Sequence, residues 1–172
     1  MKRAMPLCSI VALLLVFGGS AGQAQTPTAK PAPTYETVIV TTWKNLHNKI
    51  LTMAKDTEFP DAKLGWKPHP DSRSVLEELR HVTIGLEMTT ATAKGEKFDF
   101  AAREKMDASK PQTRANMVAE MEAAISASYP VVEAKPIPQL IGWLDHQGEH
   151  YGKLVTSYRA NGIVPPISRP KK

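Results

Sequence analysis

Residues 138–162, PQLIGWLDHQGEHYGKLVTSYRANG, decide the fold, because their apolar side chains recur at the three- and four-residue spacing of an amphipathic helix. The stripe consists of Leu140, Leu144, Tyr151, Leu154 and Tyr158. Proline is favoured in a first helical turn, as at Pro138, and an Asn-Gly pair such as Asn161 and Gly162 typically ends a helix. The segment therefore predicts a helix with one face directed at a core.

Two upstream segments show the same periodicity. The first covers about residues 35–55, and the second begins within DSRSVLEELRHV, residues 71–82. In the second segment Ser74 and Glu77 have the spacing of a capping box, and Gly95 is a typical helix stop. Both segments are therefore predicted to be helical.

A further segment, from about residue 111 to residue 128, is predicted to end before Pro130, because the residue preceding a proline disfavours helical backbone. Strand signals are scarce, since no sustained apolar–polar alternation occurs along the chain. Four helical segments joined by loops predict an all-α four-helix bundle over residues 35–166.

The N-terminus has the layout of a cleavable signal peptide over residues 1–24. Lys2 and Arg3 form a basic start, residues 7–17 are mainly apolar, and small residues lead to a cleavage site after Ala24. The apolar run is too short for a transmembrane span, although an uncleaved anchor is the competing interpretation. We also expect a flexible Pro-rich linker over residues 25–34 and a frayed, solvated basic tail over residues 167–172. The protein is thus predicted to be exported, periplasmic or secreted, and free of the membrane after cleavage.

Cleavage would leave 148 residues, a length suited to one domain with a sizeable core. Loss of Lys2 and Arg3 lowers the formal net charge from +5 to +3, and the other basic residues are spread along the chain. We therefore expect no nucleic-acid partner. The only cysteine, Cys8, lies in the leader, so the mature chain has no disulfide and no cysteine ligand or nucleophile.

Histidines provide the strongest functional signal. His146 and His150 are four residues apart, so they project from the same side of one helix, beside its apolar stripe. His81 lies next to the stripe residue Val82 of another helix. Two imidazoles from one helix and one from another can hold a divalent ion and leave positions for water or substrate. The competing interpretation is a set of half-buried, hydrogen-bonded histidines without a metal, because periodicity does not show that the two helices meet.

Three other residues are weaker candidates for the same site. Glu78, three residues before His81, can orient an imidazole or accept a proton, although a surface salt bridge is the competing role. Trp143 and His47 are candidates for lining a pocket. Anchoring in the core is the alternative for Trp143, and a surface or hydrogen-bonded position is the alternative for His47.

Residues 146–150, HQGEH, also match the H-x-x-E-H pattern of one group of zinc peptidases. Two observations disfavour a peptidase. No Asp, Glu or His follows His150 to supply a third ligand downstream. Glu149 also points about 80° away from the mean direction of the two histidines on a helix.

Residues 66–82 (WKPHPDSRSVLEELRHV) and 144–166 (LDHQGEHYGKLVTSYRANGIVPP) together resemble the DinB/YfiT-like superfamily. The resemblance implies a four-helix bundle, often a homodimer, in which His81, His146 and His150 bind a divalent metal. Some members of the superfamily are thiol-dependent S-transferases, and many are described only as metal-dependent hydrolases. Export disfavours the thiol-dependent activity here, because reduced small thiols are scarcer outside the cytoplasm.

The sequence therefore predicts an exported metal-binding protein with one divalent ion, nickel, zinc or iron. A metal-dependent hydrolase or transferase acting on an unidentified small molecule is the first hypothesis. A non-enzymatic metal-binding or structural helical bundle is the alternative.

Overall fold

The computed structural model describes residues 31–170, so the predicted signal peptide, most of the linker and the last two lysines lie outside the described residues. Within residues 31–170 there are five α-helices, two short 3-10 turns and no strand. The helices are α1 (Tyr35–Lys55), α2 (Val75–Lys94), α3 (Phe100–Ala108), α4 (Arg114–Ala134) and α5 (Gln139–Ala160), and the turns cover Asp61–Lys63 and Pro166–Ser168. None of the described helices is both long enough and apolar enough to cross a membrane.

Polar side chains start the first four helices. Thr34, Asp99 and Thr113 each accept a hydrogen bond from a backbone amide in the first turn of α1, α3 and α4. At α2 the predicted capping box is complete: the Ser74 amide donates to Glu77 Oε2 at 2.6 Å, and the Glu77 amide donates to Ser74 Oγ at 3.3 Å. This cap fixes the start of α2 at Val75, six residues before His81.

The four long helices form a bundle in which α1 and α2 each pack against both α4 and α5. The contacts between Trp43 and Ser128 and between Ala54 and Arg114 show that α1 and α4 run in opposite directions. Helices α2 and α5 are also antiparallel, because Glu78 contacts His150 whereas Gly85, further along α2, faces Gln147, which comes earlier in α5. The helices predicted to carry the histidines are therefore neighbours.

The predicted apolar stripes fill the centre of this bundle. Each long helix buries several of its stripe residues: Ile39, Trp43, Ile50 and Met53 from α1, Leu79, Val82 and Leu86 from α2, Met117, Met121 and Ile125 from α4, and Leu140, Leu154 and Tyr158 from α5. Burial of one such side chain contributes about 1.5–3 kcal/mol, so packing, more than helix propensity, holds the bundle together.

Helix α3 is not among the four helices predicted from the sequence. It has no apolar stripe, and Asp107 is its one buried residue. Ion pairs attach it to the bundle: Arg103 contacts Glu87 of α2 at 2.8 Å, Glu120 of α4 at 3.1 Å and Asp107 at 3.2 Å, and Arg80 of α2 also pairs with Asp107. Hydrophobic periodicity does not reveal a helix that is held by charge.

The predicted end of the helix before Pro130 is also wrong, since α4 continues through this proline to Ala134. A proline inside a helix removes the hydrogen bond to the carbonyl four residues earlier, here Ser126. Pro130 and Ser126 are both exposed, so water can solvate that carbonyl. The interruption is therefore tolerated on the outer face of the bundle.

Arg169, within the predicted basic tail, contacts the segment that follows α1. Its guanidinium donates to both carboxylate oxygens of Asp56, at 2.9 and 2.5 Å, and also pairs with Glu58 at 3.2 Å. These ion pairs hold Arg169 against the end of α1, and the basic tail over residues 167–172 stays a prediction.

Candidate metal centre

The three histidines predicted as ligands converge between α2 and α5. The Nε2 atoms of His146 and His150 are 3.0 Å apart, and the ring centroids of His81 and His150 are 4.8 Å apart. One ligand nitrogen from each of the three residues lies within 4.8 Å of the other two. The structure thus brings together residues that are up to 69 positions apart in the sequence.

A buried carboxylate orients His150. The imidazole is 2 % exposed, and its Nδ1 lies 2.6 Å from Glu78 Oε1. Burial by itself raises the pKa of Glu78, but the hydrogen bond with His150 and the charges of Lys153 and Arg73 outweigh it, so the net pKa is lowered. The carboxylate is therefore ionised at neutral pH and accepts a hydrogen bond from Nδ1 of His150, which fixes the ring with its Nε2 facing His146.

Glu78 is thus not the surface residue that the salt-bridge interpretation assumed. Its side chain is buried, with 6 % of the residue exposed, and the nearest cations, Arg73 and Lys153, are 3.9 and 3.8 Å away, too far for a hydrogen bond. Its shortest contact is with His150. The carboxylate holds an imidazole in place and only secondarily attracts surface cations.

The other two histidines are held in the neutral form. Burial, followed by the charge of Arg73, lowers the pKa of His81 to about 4. Burial and the neighbouring His150 also lower the pKa of His146, whose side chain is 44 % exposed. At neutral pH each ring therefore keeps a lone pair for a metal ion. The Nδ1 of His81 is buried and has no hydrogen-bond partner among residues 31–170, and the edge of Phe100 from α3 packs against this ring.

The donor chemistry fits a divalent transition metal. Two nitrogens that are each about 2.0–2.1 Å from one ion are about 3.0 Å apart at a right angle and about 3.4 Å apart at a tetrahedral angle. The 3.0 Å between His146 and His150 falls at the start of this range, and in the metal-free protein it also suits a hydrogen bond between the two rings. An all-imidazole set suits nickel, zinc or iron better than magnesium or calcium, which prefer oxygen ligands.

Two open clefts flank the three histidines. The first, here called the His81 cleft, has a volume of about 560 Å³ and is lined by His81, Ile84, Arg80 and Asp107. The second, here called the Glu78 cleft, has a volume of about 750 Å³ and is lined by Glu78, Glu149, Gly152 and Lys153. Residues 71–73, in the loop before α2, border both clefts. A small molecule in the His81 cleft can therefore reach His81, and one in the Glu78 cleft can reach the carboxylate that contacts His150.

The structure places the two predicted pocket residues differently. Trp143 is partly buried, lies with its ring centroid 5.9 Å from that of His146, and lines a shallow cleft of about 320 Å³ with it. His47 lies in the core with 1 % exposure, where its Nδ1 contacts the Trp43 carbonyl at 2.8 Å. The prediction that His47 lines a pocket, like its alternative surface position, is wrong, because the α1 stripe turns this residue inward. The hydrogen-bonded alternative agrees with the contact.

Two cations beside the site were not identified from the sequence. Lys153 lines the Glu78 cleft and follows His150 by three residues, so helical spacing was a usable signal for its position. Arg73 borders both clefts, but it precedes the helix cap, where no periodicity indicates its direction. Its position follows only from the folded loop.

A family model of the DinB superfamily matches residues 43–163. The chain belongs to the DinB superfamily. The match covers most of α1, all of α2 to α5, and each of the three histidines, so the resemblance seen in residues 66–82 and 144–166 extends across the bundle. Comparison with curated proteins and with solved structures gives no match.

Proposed function

We propose that this DinB-superfamily protein is exported, binds one divalent metal ion through His81, His146 and His150, and uses the ion to hydrolyse a small molecule or transfer a group from it. The observation that supports the proposal best is the convergence of three imidazoles beside open clefts, with one imidazole oriented by a buried carboxylate. Nickel, zinc and iron are the ions that this donor set favours.

Each residue has a defined task in this proposal. Glu78 accepts the Nδ1 hydrogen of His150, which fixes the tautomer and the ring orientation, and it acts as a positioning group because this contact occupies its carboxylate. His81 and His146 contribute lone pairs from rings that remain neutral at pH 7. When bound, the ion supplies Lewis-acid activation of a substrate oxygen or of water.

The metal proposal is tested by elemental analysis of mature protein purified without chelator from its own host. We expect about one ion per chain in the wild type, since three protein ligands define a single site, and little bound metal in His146→Ala. His69→Ala is the matched control, because this histidine lies on an exposed loop and contacts Asp71. Equal metal content in all three proteins would reject the site.

The catalytic part needs a separate measurement. A panel of esters, amides and thiol conjugates is assayed with metal-loaded wild type and with the variant in which His81, His146 and His150 are all alanine. Turnover that depends on the histidines supports hydrolysis or group transfer. Metal binding without turnover would favour the non-enzymatic alternative, and turnover that survives in the variant would exclude a metal mechanism.

Export is tested on protein recovered from the producing cells. N-terminal sequencing of the chain should begin at Gln25 if the leader is removed after Ala24, because the small residues before that point suit a signal peptidase. A chain that still begins at Met1 and remains with the membrane fraction would favour the uncleaved anchor.

A further inference from the structure

Two cationic side chains beside the histidines have donor groups without a hydrogen-bond acceptor among the described residues. Among the described residues, the side chains of Arg73 and Lys153 make no hydrogen bond, and their nearest acid is Glu78, at 3.9 and 3.8 Å. That carboxylate is already hydrogen-bonded to His150 at 2.6 Å. By contrast, Lys67, which lines the His81 cleft, is paired with Glu77 at 3.1 Å.

We infer that the substrate of this site carries an anionic oxygen group, a carboxylate or a phosphate, which Arg73 binds with help from Lys153 while the reacting part of the molecule lies at the three histidines. This inference rests on the proposed function. Arg73 suits the role because it borders both clefts, its side chain is 42 % exposed, and a guanidinium matches the geometry of a carboxylate or phosphate with two parallel donors.

The start of α2 does not provide a competing anion site, because its backbone amides already have acceptors. The Ser74 amide donates to Glu77, the Val75 amide to the Trp66 carbonyl, and the Leu76 amide to the Leu64 carbonyl. A negatively charged group that enters either cleft therefore meets side-chain donors, and Arg73 is the cation that lines both clefts.

The acids that line the Glu78 cleft leave the two cations available. The charge of Glu78 is engaged by His150. The side chains of Asp71 and Glu149 are 92 % and 63 % exposed, so water screens their charges strongly. The field of Arg73 also reaches the site itself, since its charge is the second cause, after burial, that lowers the pKa of His81.

The test uses the mature chain loaded with cobalt(II), whose visible absorption reports anions that enter the site. Acetate and inorganic phosphate are titrated separately into the wild type, Arg73→Met, Arg73→Lys and Lys153→Met. We expect affinity for at least one of the anions to fall about tenfold in Arg73→Met, because a charge-assisted hydrogen bond is lost, and about threefold in Lys153→Met. Arg73→Lys should recover part of the loss, which a folding defect would not allow.

Lys67→Met is the matched control, because it removes a neighbouring positive charge that is already paired with Glu77. It should leave anion affinity unchanged. Cobalt content is measured first in every protein, and Arg73→Met should keep the wild-type content, since Arg73 is not a proposed ligand.

The outcomes separate this inference from the proposed function. Wild type that binds no cobalt overturns both. Wild type that binds cobalt but neither anion, or binds them as tightly as Arg73→Met does, overturns the anionic substrate alone. A response to acetate only supports a carboxylate substrate, and a response to phosphate only supports a phosphorylated one.

Discussion

Two histidines are buried in different parts of the bundle: His47 on the inner face of α1, and His150 where α5 packs against α2. The two imidazoles differ in what their ring nitrogens contact. His47 and His150 are 1 % and 2 % exposed. The Nδ1 of His47 contacts a carbonyl of its own helix, that of Trp43, whereas the Nδ1 of His150 contacts a carboxylate from another helix. The Nε2 of His47 has no partner among residues 31–170, but the Nε2 of His150 faces a second imidazole, that of His146.

This difference shows why burial alone does not identify a functional histidine. A solitary imidazole that is satisfied by its own helix fills space in the core and stays neutral, and its lone pair points at nothing that can use it. An imidazole held by a carboxylate from a neighbouring helix has a fixed ring whose other nitrogen faces a second imidazole. The orienting carboxylate and the second imidazole therefore distinguish a site from packing.

The largest expected effect is a loss of metal affinity, and replacing each of the two histidines in turn tests whether their roles differ. His150→Ala should weaken binding about 1,000-fold or more, because a direct ligand contributes more than the 10–100-fold of an outer partner. His47→Leu should leave affinity unchanged, since this ring lies outside the site. Competition with a chromogenic chelator measures both. Similar losses of metal affinity in His150→Ala and His47→Leu would show that the two histidines do not differ in role.

The second prediction concerns the contribution of the buried His47 to the pH dependence of the free energy of unfolding. Burial lowers the pKa of His47 to about 4, below its ordinary value of 6.5. The unfolded chain therefore takes up this proton at a higher pH than the folded chain, so the free energy of unfolding falls as pH drops from about 6.5 to about 4. The loss should approach 3 kcal/mol in order of magnitude.

Denaturant unfolding of metal-free protein at several pH values between 7 and 4 measures this loss. His47→Leu should be less sensitive to pH in that range, because leucine takes up no proton, while stability at pH 7 should change by less than about 1.5 kcal/mol. The difference between the two pH profiles isolates His47 from the other histidines. Parallel profiles would contradict a neutral, buried His47.

The third prediction tests the carboxylate that distinguishes the two regions. Glu78→Gln keeps the shape of the side chain but removes its charge, so it should weaken metal binding about 10–100-fold without removing a ligand. Glu77→Gln is the matched control, because its neighbouring side chain serves the capping box and pairs with Lys67. Metal affinity in this control should stay within about twofold of the wild type. An equal effect of the two substitutions would mean that Glu78 acts only through general charge.

The long helices are predictable from sequence because each has an apolar stripe that a neighbour buries. The interval predicted for α1 agrees with Tyr35–Lys55, and the capping box at Ser74 marks the start of α2. Helix α3 was missed because Arg103 and Asp107 attach it by charge, and such pairs depend on residues distant in sequence. The extension of α4 past Pro130 was missed because solvation of the freed carbonyl is a property of the folded surface.

The candidate site was also predictable only in part, because spacing along a helix does not show which helices pack together. Helical spacing places His146 and His150 on one side of a helix, but their convergence with His81 depends on the packing of α2 against α5, which periodicity does not contain. The burial of Glu78 and the position of Arg73 also follow from that packing and from the loop before α2. Local patterns thus indicate which residues share a face, and tertiary structure decides which faces meet.

The smallest expected effect separates two glutamates that both lie near the histidines. Glu149 would be the essential water-activating residue if HQGEH acted as the motif of a zinc peptidase. Its side chain is 63 % exposed, its nearest approach to His146 Nδ1 is 4.0 Å, and the third histidine comes from α2, upstream of the motif. Glu149→Gln should therefore change metal affinity by less than about twofold, as expected for an exposed ion pair. A loss of metal affinity as large as that of Glu78→Gln, measured by the same chelator competition, would show that Glu149 acts at the metal site and would support the peptidase hypothesis.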